Sequence, residues 1–215
     1  MLALLLAAAA TVPAPATGAL HAEYAFIRAA HDQGQWTAFR QFAHPDAVMF
    51  TPEATWAQEW LKGRTDPPRT IEWRPAVSFV SCDGRTAVNQ GPWLSTSGKT
   101  SGTFTTVWQA DGQTWRWVYD GGKPGFGPVS WPAKAEVKQA ACARKPAGPP
   151  VAPPPPVVRH RNGSPPDDFG RGVSADKTLG WDWKVSEPGK ARHFRVFLWN
   201  GRKYDLVIDQ TVAAE

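Results

Sequence analysis

The sequence predicts an α+β protein: three N-terminal helices against a curved four-stranded antiparallel sheet, then a proline-rich linker and a small C-terminal β-meander. Three observations predict it. Apolar residues keep helical spacing up to about residue 61, alternate after Pro67-Pro68, and alternate again in the last 40 residues. Hairpin dipeptides, Asp83-Gly84, Asp111-Gly112 and Asn200-Gly201, separate the alternating runs. Nine prolines crowd residues 145–166, where neither period survives.

Each element follows from its own residues. Residues 20–43 read as helix, with Ala22, Ala25, Phe26, Ala29 and Ala30 on one face. Gly34 breaks it, and Trp36, Phe39 and Phe42 resume it. Ala47 to Phe50 is a short apolar strand. Ala54 to Leu61 is a third helix, with Trp56 and Trp60 one turn apart. Ile71 to Ser81 is a long strand bent at Pro75, and Arg85–Trp93, Gly102–Gln109 and Thr114–Asp120 complete an antiparallel meander. Ala133 to Ala143 reads as one helix, and Pro153 to Pro156 as polyproline II, a semi-rigid spacer. Thr178–Ser186, Arg192–Trp199 and Lys203–Val212 are three strands that bury too little on their own and need a partner sheet or a second copy.

Charge locates the basic character. The net charge of +5 comes from residues 123–166, which carry 7 basic and 1 acidic residue. Residues 1–122 carry 9 and 10, and residues 167–215 carry 8 and 8. The excess therefore belongs to a linker rather than a folded binding face, which argues against nucleic acid as a partner and leaves an anionic envelope surface as the linker's candidate contact.

The apolar run Met1 to Ala10, the breaker Pro13 and the small-residue site Ala14-x-Ala16 read as a secretory signal over residues 1–16, cleaved after Ala16, although its start lacks a Lys or Arg. The run is too short to span a membrane. A periplasmic or secreted location follows. In that setting the two cysteines, Cys82 and Cys142, invite a disulfide; the alternative is a buried Cys82 and a free Cys142 thiol.

Several stretches carry a family resemblance: Tyr24-Ala-Phe-Ile-Arg28 leading to Gly34-Gln-Trp36, Phe42-Ala-His-Pro-Asp-Ala-Val48, Asp83-Gly-Arg-Thr-Ala87, Gly102-Thr-Phe-Thr-Thr-Val-Trp108 and Asp111-Gly-Gln-Thr-Trp-Arg-Trp117. Together they resemble the SnoaL-like group of the nuclear-transport-factor-2-like superfamily, over about residues 20–122. The resemblance implies helices closing one side of a curved sheet around a conical cavity. With the segments read from composition and periodicity, the chain divides into a signal (1–16), the cone domain (17–122), the basic proline-rich linker (123–166) and the meander (167–215). Members of that group include isomerases, cyclases and dehydratases as well as non-enzymatic binding and assembly domains, so the fold does not decide function.

Enzymes on this fold use an Asp, His or Tyr in the cavity as acid or base. The resemblance transfers no catalytic residue onto this chain. Candidates near element ends are His44, Asp46, Glu53, Glu59 and Asp120, with His44 and Asp46 facing one side of a strand. Turn chemistry is the better account of Asp46 and Asp120, and the end of a helix that of His44. Twelve tryptophans are several times ordinary usage. Trp56, Trp60, Trp93, Trp108, Trp117 and Tyr119 are candidates to line a pocket for an apolar or aromatic ligand, with plain core packing as the alternative. Nucleophile-elbow, phosphate-loop, dinucleotide and zinc motifs are missing from the sequence, which predicts no cofactor and no metal. The reading is an exported, non-catalytic module that binds a small ligand or self-associates as a homo-oligomer. The alternative is an isomerase, cyclase or dehydratase acting through a cavity carboxylate or His.

Overall fold

The computed structural model describes residues 16–125, 127–152, 166–186 and 191–213. Of the expected signal over residues 1–16, residues 1–15 lie outside the described residues, as does the polyproline run Pro153–Pro156. The elements run α1 (Gly18–Gln33), α2 (Gln35–Phe42), β1 (Ala43–Phe50), β2 (Ala54–Trp56), α3 (Ala57–Leu61), β3 (Glu72–Trp73), β4 (Val77–Val80), β5 (Thr86–Leu94), β6 (Ser101–Asp111), β7 (Thr114–Gly125), β8 (Glu136–Gln139), β9 (Phe169–Val173), β10 (Leu179–Val185), β11 (Arg192–Trp199) and β12 (Tyr204–Val212).

The α+β class holds, and its details differ from the sequence reading. The large sheet has eight strands in the order β2-β1-β7-β6-β5-β4-β8, with β3 on β5. It is mixed rather than antiparallel: β1 runs parallel to β7, and β8 runs parallel to β4. The third helix is only Ala57–Leu61, because Ala54–Trp56 pairs with Val48–Phe50 as an edge strand. The expected helix over Ala133–Ala143 is instead strand β8. Its composition favours helix, but one short segment nucleates poorly alone, whereas the open edge of β4 offers four residues of ready-made pairing. Residues 123–152 are therefore not a free linker. β7 runs through to Gly125, and Pro150 packs against Gly180 of β10.

Between α1 and α2 the chain turns at Gly34, whose φ of +110° favours glycine; a Cβ there would lie 2.3 Å from Asp66 Cγ. Asp66 replaces a missing local cap. Its carboxylate accepts the Trp36 N–H at 2.5 Å, the Thr37 N–H at 3.0 Å and the Thr37 hydroxyl at 2.6 Å.

The large sheet is buried on both faces. On one, Phe26, Phe39, Trp73, Trp108 and Trp117 form a core with the helices. On the other, Phe79, Val88, Val107 and Tyr119 meet Leu179, Trp181, Trp183, Phe194 and Val196 of a four-stranded antiparallel sheet in the order β12-β11-β10-β9. Tyr119 stacks on Phe194 at 4.5 Å, and Phe50 meets Trp183 edge-on at 5.1 Å. Polar links surround this contact. The Cys82 N–H donates to Thr178 Oγ1 at 2.8 Å, the Asp83 N–H to Asp176 Oδ2 at 2.7 Å, and Arg192 Nη2 to the Gly122 carbonyl at 2.6 Å. Cys82 and Cys142 are bonded, with Cα atoms 5.3 Å apart.

The C-terminal sheet has a fourth strand, β9, absent from the sequence reading. Its sequence Phe-Gly-Arg-Gly-Val is poor in strand formers. The glycines make room: Trp181 lies across Gly172 and Trp183 across Gly170, and a Cβ at either glycine would come within 2.6 Å of the opposing indole. Gly172→Val should therefore cost about 1–3 kcal/mol through displacement of Trp181. Urea unfolding followed by tryptophan fluorescence measures it, and an unchanged midpoint would mean that β9 does not pair as described. Both sheets should melt in one transition, because neither covers its apolar face alone.

Candidate functional site

Inside the cone, the helix-facing side of the sheet carries a row of polar residues. Asn89 of β5 pairs with Thr106 of β6, Thr106 with Asp120 of β7, and Asp120 with Met49 of β1. Alternation puts these side chains under α1, and α1 answers with Glu23. Glu23 is wholly buried. Its Oε1 accepts the Trp73 indole N–H at 2.8 Å; its Oε2 accepts the Trp108 indole N–H at 2.7 Å and the Asn89 amide N–H at 3.0 Å. Burial pushes its carboxyl up to about 7, with the nearby negative charge of Asp120 adding to the rise, while the three donors pull the other way.

Asp120 is half-buried and accepts the Thr106 hydroxyl on Oδ2 at 2.7 Å. Burial pushes it up to about 6, against the pull of Thr106 and of Arg192, which reaches in from the C-terminal sheet. Arg192 is itself buried and lies 4.1 Å over the Phe50 ring. Tyr119 points to the other face of β7, where burial pushes its hydroxyl up to about 12.

The residues expected to line one pocket go to three places. Trp108 and Trp117 are 0% exposed and belong to the cone core. Tyr119 lies between the sheets. Trp93 packs on the cone core beside Gly102 and Gly122. The physical reason is volume: Phe26, Phe39 and the indoles of Trp73, Trp108 and Trp117 fill the interior with edge-to-face contacts. Trp56 and Trp60 alone meet at a recess. It measures about 420 Å³, opens to solvent, and is lined by Thr51, Pro52, Glu53, Ala54, Thr55, Trp56, Glu59 and Trp60. It forms where the β1–β2 hairpin turns into α3.

His44 and Asp46 do come together, since the Asp46 N–H donates to His44 Nδ1 at 3.1 Å and the side chains lie 3.9 Å apart. Both sit at the surface of β1, outside the recess and the cone core. Among the described residues no group of three or more His, Cys, Asp or Glu could hold a metal ion, and no helix is long and apolar enough to cross a membrane.

Glu23, Asn89, Thr106 and Arg192 were not singled out from the sequence. A signal for Glu23 was present: it lies one turn from Ala19 and from Phe26, in the middle of the apolar stripe of α1. Its raised value carries a sign for stability. Burial penalises the ionised form, so the penalty is absent below about 4.5, grows as pH rises towards 7, and is constant above. Relative to Glu23→Gln, wild-type stability should fall by roughly 3 kcal/mol across that window, at about 1.36 kcal/mol per unit. Urea unfolding of both proteins at several pH values tests this, and a pH-independent difference would exclude it.

No protein-family model matches the chain, and no curated protein matches it. Solved structures do. An NTF-2 like protein of unknown function from Shewanella oneidensis MR-1 is 16% identical, with 51% of this chain and 98% of that chain covered and a TM-score of 0.42. A protein of unknown function of the DUF3225 family from Pectobacterium atrosepticum SCRI1043 is 13% identical over 52% and 91%, with a TM-score of 0.41. A cystatin-like fold protein from Burkholderia xenovorans LB400 is 14% identical over 52% and 89%, with a TM-score of 0.37. The chain is thus similar over about half its length to NTF2-like and cystatin-like fold proteins, the fold group that its sequence motifs resemble.

Proposed function

We propose that this chain is an exported, non-catalytic binding module whose ligand site is the recess beside Trp56 and Trp60, not the cone interior. The observation that carries the reading is the filled interior: Phe26, Glu23, Trp108 and Trp117 occupy the space under the helices, each at most 1% exposed. The recess, at about 420 Å³, has the size of a small-ligand site and presents two indoles. Export is supported by the apolar start of the sequence and by the Cys82–Cys142 bond, a linkage that persists in oxidising compartments. Contact of the basic segment with an anionic envelope surface belongs to the same proposal. Self-association through the outer face of the large sheet does not, since the chain's own β9–β12 sheet covers that face.

A thermal-shift screen of small molecules against wild type and Trp56→Ala tests the site. A ligand at 100 times its dissociation constant should stabilise wild type by about 2.7 kcal/mol. That stabilisation should vanish in Trp56→Ala. Ligands whose effect survives this substitution would place the site elsewhere.

One observation favours a second reading. Asp120 is a half-buried carboxylate pushed up to about 6 beside the Thr106 hydroxyl, close to neutrality and so suited to taking and returning a proton. On that reading the chain is an isomerase, cyclase or dehydratase with Asp120 as general base. Asp120→Asn should then lower turnover by about 10²–10⁴-fold. The wild-type rate should rise with pH through about 6. Turnover that survives Asp120→Asn would dismiss the reading.

A further inference from the structure

The recess beside Trp56 has a charge pattern that selects among ligands. Of its eight lining residues two, Glu53 and Glu59, are acidic and none is basic. Neither carboxylate forms an ion pair among the described residues. The other polar groups are already engaged: the Thr51 and Thr55 hydroxyls lie 3.3 Å apart, and the Thr55 hydroxyl donates to the Glu53 carbonyl at 3.0 Å. What the recess offers is therefore negative charge and aromatic surface, with few directional partners.

Trp60 already binds a cation. The Arg64 guanidinium carbon stands 3.3 Å from the centre of its ring, although Arg64 is not among the lining residues. An indole quadrupole attracts other diffuse cations in the same way, and the lining offers a second indole, Trp56, beside Trp60. A hard metal ion is a poor match, because it needs more oxygen ligands than two separated carboxylates supply. An alkylated ammonium needs no directed hydrogen bonds and presents methyl groups to the rings.

We infer that the recess binds a small organic cation, an alkylated ammonium group seated against Trp56 and Trp60 and neutralised by Glu53 and Glu59. The inference rests on the reading that the recess is the ligand site. Choline and its neutral isostere 3,3-dimethylbutanol separate the two claims, with binding followed by tryptophan fluorescence and calorimetry on the full chain. Choline should bind at least about tenfold more tightly than the isostere. Glu53→Gln/Glu59→Gln should weaken choline binding, shrink that preference and leave isostere binding unchanged. Trp56→Ala should weaken both, and unfolding curves of each variant confirm that it is folded.

Equal binding of the two probes, both lost in Trp56→Ala, would overturn the cation inference and leave the site reading intact. Binding that ignores Trp56→Ala would overturn the site reading itself, and failure of both free choline and phosphatidylcholine vesicles to bind would overturn the cation inference. Phosphatidylcholine vesicles present the same group at a lipid surface. Binding of the vesicles alone, lost in the Glu53/Glu59 double variant, would support the inference with a headgroup as the source of the cation.

Discussion

The large sheet has no wet face, and most of the structure follows from that constraint. In a sheet with one solvated side, a one-residue slip already exposes the apolar set and buries the polar one. Here each side has a different partner. A slip of one residue in β6 would turn Thr106 towards Phe194 and Trp181 and turn Val107 towards Glu23. A polar group would lose its hydrogen bonds in an apolar contact, and an apolar one would face a buried carboxylate. Register is thereby specified twice, once by the Asn89–Thr106–Asp120 row under α1 and once by the Val88–Val107–Tyr119 row under the C-terminal sheet.

Glu23 sharpens that specification. A buried carboxylate with three N–H donors from Trp73, Asn89 and Trp108 ties one turn of α1 to β3, β5 and β6 at once. Hydrophobic packing alone would tolerate a helix sliding by part of a turn. Three directed bonds to one group do not, and leaving any donor unpaired in the core costs about 1–3 kcal/mol.

Much of the frame was legible in the sequence. The change of period near Pro67 separated helices from strands, and Asp111-Gly112 and Asn200-Gly201 sit at the turns they predict. What escaped notice depends on partners far along the chain. Residues 136–139 have helical composition, and only the open edge of β4 makes them a strand. β9 looks like a loop because its glycines weaken it locally, and only the indoles of Trp181 and Trp183 explain them. The candidate site divides in the same way. The abundance of tryptophan marked an aromatic interior, but spacing alone could not tell core indoles such as Trp108 from the pair at the recess. Asp120 was visible as a candidate, whereas Arg192, about 70 residues later, joins it only through the packing of two sheets.

The Cys82–Cys142 bond has a consequence for how the two sheets stay together. It fastens the chain beside the β4–β5 turn, so the segment leading to β9 starts from a fixed point next to the surface that β9–β12 covers. The C-terminal sheet is then a tethered partner, which meets that surface in an intramolecular step rather than by diffusion from bulk solution. A second copy or a foreign strand arriving from solution competes for that surface against a neighbour that never diffuses away. Loosening of the sheet is answered by recapture, and the apolar face of the cone stays covered even when the protein is dilute.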